Sequence, residues 1–139
     1  TVETDSNFYF LNTGSPHVVV FSEHVSEIDI VKEGRMIRYS DQFKVNGTNV
    51  NFIQETNGEL FVRTYERGVE EETLSCGTGV TAAVLAAVKK GMLNPDLKSC
   101  TVRAPGGTLK VYFLRKNEGF EQVFLEGPAT LVYKGSVEV

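Results

Sequence analysis

A cysteine between small polar and glycine residues, directly ahead of an apolar stretch, is the pattern in this sequence best suited to chemistry. Ser75-Cys76-Gly77-Thr78-Gly79 runs into Val80–Val88, which only one threonine interrupts. The first N–H groups of a helix have no intrahelical partner, and the helix dipole adds partial positive charge there. That position favours the thiolate of Cys76, and the neighbouring N–H groups form a cradle for a carboxylate or phosphate. The alternative is a buried structural cysteine before a glycine-rich turn.

Two charged residues lie a short distance upstream, where a predicted strand ends. Glu66 would accept a hydrogen bond from the thiol or orient it, and Arg67 would bind a carboxylate with two parallel hydrogen bonds. The alternative is an exposed ion pair that contributes little to stability.

Polar residues also open two predicted strands nearer the start of the chain. Ser15-Pro16-His17 precedes a β-branched run, and the ordinary pKa of a histidine suits proton transfer near neutral pH. Asn49 and Asn51 alternate along the second strand and therefore share a face, where an amide can bind an amino-acid head group. The alternatives are a polar histidine at a strand edge and ordinary turn chemistry. His24 has no motif around it and is predicted to be a surface residue.

Two helices are predicted to position these groups. The first spans Asp29 to Ser40 and is weakened by a glycine; the second spans Gly79 to Lys90 and ends at Gly91, a favourable C-terminal cap. The second helix has almost no polar face, so it must be buried on most sides. This predicts an α+β fold in which a sheet wraps around a central helix.

Most of the remaining chain is predicted to form strands. Asn57-Gly58 is a two-residue hairpin signal, and Pro105-Gly106-Gly107 marks a second turn. The predicted strands are Val18–Phe21, Asn49–Gln54, Leu60–Tyr65, Thr101–Ala104, Leu109–Leu114, Val123–Leu125 and Thr130–Tyr133.

Bulk composition excludes several classes of protein. The 139 residues suit one domain, and a net charge of -4 does not fit the basic face of a nucleic-acid-binding protein. The longest apolar run is far shorter than the ~20 residues of a membrane span, and no secretory signal opens the chain. Two cysteines are too few for a secreted disulfide scaffold. A reducing, cytoplasmic setting is therefore expected, with neither nucleic acid nor membrane as partner.

Taken together, the motifs resemble the carboxy-terminal half of the diaminopimelate epimerases. The resemblance covers essentially the whole chain. Its most specific part is the pair Glu66-Arg67-Gly68 and Cys76-Gly77-Thr78-Gly79. It is supported by Ser15-Pro16-His17, Asn49-Val50-Asn51-Phe52 and Gly127-Pro128-Ala129, in the family's order and at family-like spacing.

The resemblance implies a barrel-like, mostly antiparallel sheet around a central helix, spanning residues 1–139 as one domain. It further implies a two-domain enzyme of lysine biosynthesis that interconverts LL- and meso-diaminopimelate with two cysteines and without metal or pyridoxal phosphate. The implied partner is an amino-terminal domain absent from this chain. The resemblance also allows the enzyme to form a homodimer.

The resemblance also assigns roles residue by residue. Cys76 corresponds to one of the two acid/base thiols, and His17 and Glu66 to the groups that tune the thiols. Gly77 and Thr78 correspond to a cradle for the reacting carboxylate. The remaining substrate contacts fall on Ser15, Asn49 and Arg67, with Glu66 also included.

Two departures from the family pattern bear on function. Ser15 stands where the family usually has asparagine, which affects recognition of the distal end of the substrate. The first cysteine half is absent, and Cys100 does not replace it, because no glycine-rich helix start follows it. The isolated chain is therefore expected to be inactive. A racemase related to the proline racemases and a non-catalytic anion-binding module are the alternatives.

Overall fold

A computed structural model describes residues 2–4, 8–117 and 119–138 of the chain. The described residues form one mixed sheet of nine strands, two α-helices and a 3-10 turn at Val25–Glu27. The helices are α1 (Ile30–Arg38) and α2 (Gly77–Lys90). The strands are β1 (Val2–Thr4), β2 (Tyr9–Asn12), β3 (Pro16–Phe21), β4 (Asn49–Thr56), β5 (Glu59–Glu66), β6 (Glu71–Thr73), β7 (Ser99–Ala104), β8 (Gly107–Lys116) and β9 (Gly119–Glu126).

The strand order explains where the helices lie. The sheet runs β1-β2-β3-β4-β5-β7-β8-β9, with β6 paired to β5 outside this path. β3 pairs with β4 and β5 with β7 in parallel, whereas the other ladders are antiparallel. Parallel neighbours need a crossover connection. α1 supplies the crossover from β3 to β4, and β6 with α2 supplies the one from β5 to β7.

Alternation along β3 to β5 divides the interior into two cores. Val18, Val50 and Tyr65 belong to the core under α1, whereas Val19 and Ile53 belong to the core around α2. Successive strand residues point to opposite faces, so each strand contributes to both. The curled, mostly antiparallel sheet with a helix against it confirms the predicted α+β class.

α2 is the central helix that its composition predicts. It packs against β2 to β5 and β7 to β9, and every residue from Ala82 to Val88 is buried. Lys89 and Lys90 lie at its carboxyl end and Gly91 adopts φ 79, the left-handed cap conformation. No helix in the described part of the chain has both the length and the apolar character needed to cross a bilayer.

α1 is shorter than predicted and is fixed at two points. Asp29 caps it by accepting a hydrogen bond from Lys32 N at 3.1 Å. Gly34 is buried against Tyr65, and a Cβ at this position would lie 2.4 Å from Tyr65 Cβ. The glycine that weakens α1 as an isolated helix therefore allows its close approach to β5.

The strand predictions are confirmed except at the end of the chain. Asn57 and Gly58 have φ values of 55 and 82, as expected for the central residues of a two-residue hairpin. The strand predicted at Thr130–Tyr133 is wrong, because residues 127–138 contain no strand or helix. Leu131 and Val132 are 71% and 87% exposed, and a strand requires a neighbouring edge to accept its hydrogen bonds. β1, β2 and β6 were not predicted.

Candidate active site

The amino end of α2 places Cys76 at the start of the helix. Cys76 is the N-cap residue, with φ -126 and ψ 105, and its side chain caps no backbone N–H. The first helical hydrogen bond runs from Val80 N to Cys76 O at 2.8 Å. The N–H groups of Gly77, Thr78 and Gly79 therefore lack helical acceptors, and no acidic residue occupies the first turn. A ligand anion would meet these N–H groups and the positive end of the dipole.

Cys76 lines an open pocket of about 510 Å³ at this helix end. Four predicted site residues belong to the lining, and Leu125 of β9 forms one wall. The full lining is Glu66, Ser75, Cys76, Gly77, Thr78, Thr81 and Leu125. A larger cleft of about 810 Å³ lies where β5 meets β7, but none of the predicted site residues lines it.

A chain of polar contacts connects the thiol with His17. Cys76 Sγ lies 3.6 Å from Thr78 Oγ1, and that oxygen lies 3.0 Å from His17 Nε2. Ser15 Oγ lies 2.9 Å from His17 Nε2 and 3.2 Å from Thr78 Oγ1. The structure therefore brings together four of the predicted residues, and it places the hydroxyl of Thr78 between the imidazole and the sulfur.

His17 is a neutral group at this site. Its side chain has no exposed surface. Burial is the larger cause and the positive charge of Arg67 the smaller cause of a pKa lowered from 6.5 to about 4. At neutral pH the ring consequently carries one donor nitrogen and one acceptor nitrogen.

Asn49 forms hydrogen bonds with the backbone on both sides of this network. Its Nδ2 donates to Pro16 O at 3.0 Å and to Ser15 Oγ at 3.3 Å. Its Oδ1 accepts from Arg67 N at 2.9 Å. The side chain of Arg67 is exposed and donates to Asn46 O at 2.8 Å. Asn49 thus joins the start of β3 to the turn after β5, which sets the position of Arg67.

Glu66 lies at the end of β5 and is partly buried. Glu66 lines the same pocket as Cys76, but the hydrogen bond of the sulfur goes to Thr78. The backbone carbonyl of Glu66 accepts from Glu70 N at 2.8 Å, but within the described part of the chain its carboxylate has no hydrogen-bond or ion-pair partner. An acceptor without a partner at the mouth of a pocket suits the ammonium group of a ligand.

Thr13, Thr64 and Leu125 belong to the site but were not selected from the sequence, whereas Asn51, predicted to share a face with Asn49, contacts His17 rather than the pocket. Thr13 Oγ1 donates to Thr78 O at 2.8 Å and anchors the turn before β3 to α2. Asn51 and Thr64 lie behind His17, with Thr64 Oγ1 donating to Asn51 Oδ1 at 3.0 Å. The alternation of β4 places Asn51 on the correct face, and the two-residue hairpin sets the register that puts Thr64 opposite it. Leu125 has no recognisable sequence signal.

The described residues contain no group of three or more His, Cys, Asp or Glu side chains arranged to hold a metal ion. Cys76 and Cys100 are both free thiols. Charged or polar groups suited to an amino-acid ligand, by contrast, surround the pocket at the start of α2.

The fold of the chain is found in solved structures of proteins named as an amino-acid racemase and an amino-acid epimerase. A crystal structure of a probable proline racemase from Agrobacterium radiobacter K84 has the same fold, with a TM-score of 0.58. The superposition covers 86% of this chain and 41% of that chain at 10% sequence identity, which establishes similarity of fold alone.

Sequence comparison places the chain more narrowly. The family model for diaminopimelate epimerase matches residues 9–132. The diaminopimelate epimerase of Flavobacterium psychrophilum is 45% identical over 137 residues, covering 98% of this chain and 53% of that protein. The Chlorobaculum tepidum enzyme is 42% identical over 132 residues, covering 94% and 50%. The chain belongs to the diaminopimelate epimerase family and spans about half the length of the curated relatives it matches.

Proposed function

We propose that this chain is the carboxy-terminal domain of a cofactor-independent epimerase that interconverts LL- and meso-diaminopimelate in lysine biosynthesis. The observation that carries the proposal is the placement of Cys76. Its thiol lies at the start of a buried helix, faces an open pocket and adjoins backbone N–H groups without helical acceptors.

The proposed reaction inverts the α-carbon by two proton transfers. The thiolate of Cys76 takes the α-proton from one face, or as a thiol donates a proton to that face in the reverse direction. A second thiol acts on the opposite face, so the total number of protons on the pair is unchanged and the configuration inverts. The α-proton is weakly acidic, so the base must be held in place before reaction.

Donors at the start of α2 stabilise the charge that develops during proton removal. The N–H groups of Gly77 and Thr78 would bind the α-carboxylate, which gains negative charge in the transition state. These groups are oriented by the helix and need no rearrangement at that moment. Because the thiols and the helix end supply the acid, the base and the stabilising charge, the proposed reaction uses no metal or pyridoxal phosphate.

The remaining polar residues are proposed to bind the substrate. Glu66 would accept from the ammonium at the reacting centre and influence the ionisation of the thiols together with His17. Arg67, Asn49 and Ser15 would contact the distal, non-reacting amino-acid end. Asn49 also positions Arg67 through the Oδ1 contact to its backbone N–H.

The second thiol is proposed to come from an amino-terminal domain. Cys100 does not serve, because it is 2% exposed in β7 and lies outside the pocket lining. Apolar surface adjoins the pocket: Leu74 is 71% exposed and Leu125 is 44% exposed. An amino-terminal domain packed there would bury this surface and close the pocket, which strengthens electrostatic interactions inside it. By itself the chain would hold half of an active site.

A cytoplasmic location is proposed for the complete enzyme. Reactive thiols persist in a reducing compartment, and Cys76 and Cys100 are unpaired.

A proline-racemase-like isomerase of another amino acid is the second candidate. The observation in its favour is the fold similarity to the probable proline racemase. Ser15, where the family usually has asparagine, is the residue through which the distal specificity would differ. A module that only binds anions would use the same N–H groups but would not need the thiol.

The test uses this chain joined to an amino-terminal half from a relative, beside the 139-residue chain alone. Each protein is incubated with LL-diaminopimelate or L-proline, and the stereoisomers are separated by chiral chromatography. The proposal predicts conversion of diaminopimelate by the joined protein, none of proline, and no turnover by the chain alone. Conversion of proline, turnover by the isolated chain, or binding without turnover in a folded joined protein would each contradict it.

A further inference from the structure

The buried amide of Asn51 has a single orientation that satisfies its neighbours. One of its terminal atoms lies 3.0 Å from Val18 O and 3.1 Å from His17 Nδ1; the other lies 3.0 Å from Thr64 Oγ1. A backbone carbonyl only accepts hydrogen bonds, so the atom facing Val18 must be the amide nitrogen. Its two protons then have two acceptors, Val18 O and His17 Nδ1. Asn51 has no exposed surface, so no solvent competes.

This orientation fixes the tautomer of His17. Because Nδ1 accepts from Asn51, the single proton of the neutral ring lies on Nε2. The one proton on His17 Nε2 is therefore shared between two acceptors, Ser15 Oγ at 2.9 Å and Thr78 Oγ1 at 3.0 Å. The opposite tautomer would direct two N–H protons at each other between Asn51 and the ring.

The tautomer in turn decides where the hydroxyl protons point. Neither Ser15 nor Thr78 can donate to a nitrogen that already carries a proton. The proton of Thr78 is left for Cys76 Sγ at 3.6 Å or Ser15 Oγ at 3.2 Å. With the proton on Nδ1 instead, Nε2 would accept and would compete with the sulfur for the Thr78 proton. A thiolate gains most from a donated hydrogen bond, because charged acceptors form the stronger bonds.

The last glycine of the Cys76-Gly77-Thr78-Gly79 motif makes room for this amide. A Cβ on Gly79 would lie 2.3 Å from Asn51 Oδ1, closer than a non-bonded contact permits. Gly79 is also buried in the first turn of α2. The absence of a side chain at Gly79 thus allows β4 to place Asn51 directly behind the helix end that carries Cys76.

We propose that Asn51 is a positioning residue that holds His17 with its proton on Nε2 and so leaves the Thr78 hydroxyl proton free for donation to Cys76 Sγ. The catalytic consequence rests on the function proposed above, whereas the tautomer is a property of the chain itself. Two experiments separate these claims.

The first experiment reads the tautomer directly. Long-range proton–nitrogen NMR correlations are recorded at pH 7 on the ¹⁵N-labelled 139-residue chain, and the His24→Gln variant assigns the signals, since the chain has two histidines. His17 should show an unprotonated Nδ1 and a protonated Nε2. A proton on Nδ1, or an imidazolium at this pH, would overturn the proposal even if no variant folds.

The Asn51→Asp variant tests whether Asn51 sets the tautomer. A carboxylate only accepts, so it should place a proton on Nδ1. If that variant does not fold, Gly79→Ala is used instead. It displaces the Asn51 amide and should give a mixture of tautomers. An unchanged Nε2–H pattern in either folded variant would overturn the role of Asn51.

The second experiment measures the consequence for turnover in the chain joined to the amino-terminal half of a relative. Asn51→Ala should lower kcat about tenfold, the equivalent of roughly one hydrogen bond, with KM changed less than about twofold. A rise in KM with unchanged kcat would show that Asn51 shapes the binding site rather than the reacting thiol, and would overturn the proposal. If the wild-type protein lacks epimerase activity, the proposed function fails while the NMR result still decides the tautomer.

Discussion

The two cysteines of this chain lie in surroundings that differ more than their burial suggests. Cys76 is 9% exposed and Cys100 is 2% exposed. Cys76 begins a helix, lines an open pocket and has the Thr78 hydroxyl as its neighbour. Cys100 lies within β7, where its thiol donates to Thr101 O at 3.4 Å and Gly58 O at 3.7 Å. Burial raises the pKa of Cys100 to about 11.

The difference shows that hydrogen-bonding partners and access set the character of a thiol. A strand interior surrounds sulfur with carbonyl acceptors, which favour the protonated form. A helix start offers N–H donors and positive charge, which favour the anion. The same residue type is thus a core side chain in one place and lines a pocket at a helix start in the other.

The largest expected effect is on the epimerisation rate, which substitution of Cys76 should lower far more than substitution of Cys100. In the chain joined to the amino-terminal half of a relative, Cys76→Ala should lower the rate of diaminopimelate epimerisation at least about 1000-fold, as expected for loss of a general base. Cys100→Ala, which leaves the pocket intact, should change it less than about twofold. Initial rates at saturating substrate measure both variants. Comparable losses in the two would remove the distinction between the sites.

Thiol reactivity should follow the same order in the folded 139-residue chain. A pKa raised from 9.0 to about 11 makes the thiolate of Cys100 about 100-fold scarcer than in an ordinary thiol. Iodoacetamide at pH 7.5 should therefore modify Cys100 about 100-fold more slowly than an ordinary thiol, and more slowly than Cys76, which lines the open pocket. Peptide mapping by mass spectrometry after timed quenching gives the two rates. Equal modification rates of the two cysteines in the folded chain would contradict the difference in their surroundings.

Stability should depend on pH through His17, which contacts Thr78 beside Cys76. Its pKa is about 4 in the folded chain and 6.5 when unperturbed, so the unfolded chain binds more protons between these values. Its contribution, about 3 kcal/mol, is fully present above pH 6.5 and is lost as pH falls toward 4. Urea titrations at pH 7 and pH 4 measure this loss, with His17→Gln as the control that should lack that component. An identical pH dependence in the control would contradict the assignment.

The smallest expected effect is on the free energy of unfolding, where Cys100 should matter more than Cys76. Cys100→Ala removes a buried sulfur from the core around α2 and should lower the free energy of unfolding by about 1 to 2 kcal/mol. Cys76→Ala removes a sulfur that faces the pocket and caps no backbone N–H, so it should cost less than about 0.5 kcal/mol. Urea denaturation of the two variants at pH 7 tests the contrast. A larger cost at Cys76 would assign it a structural role.

Local sequence signals predicted much of the fold. The Asn57-Gly58 hairpin, the cap at Gly91 and the apolar character of α2 each depend on neighbouring residues, and the structure confirms them. The strand predicted at Thr130–Tyr133 is wrong because its β-branched pattern has no sheet edge to pair with among the described residues. The order of strands around α2 depends on contacts between distant residues, which a single sequence does not show.

The site was predictable where residues are adjacent in sequence or share a strand face. Cys76, Gly77 and Thr78 follow from the motif at the helix start, and Glu66 was expected near the thiol and lines the same pocket. The hydrogen bond between His17 and Thr78 could not be predicted from the sequence, because it joins residues 61 positions apart. Leu125 reaches the pocket only because β8 and β9 fold back beside α2.

Hydrogen exchange at the substrate α-carbon tests most directly whether the thiol at the start of α2 transfers the proton. The joined protein, its Cys76→Ser variant and its Cys100→Ser variant are incubated with LL-diaminopimelate in deuterated water, and deuterium at the α-carbon is followed by NMR. We expect incorporation by the wild type and by Cys100→Ser, and none above background by Cys76→Ser. Incorporation by Cys76→Ser at the wild-type rate, or none by a folded wild-type protein, would contradict the role assigned to Cys76.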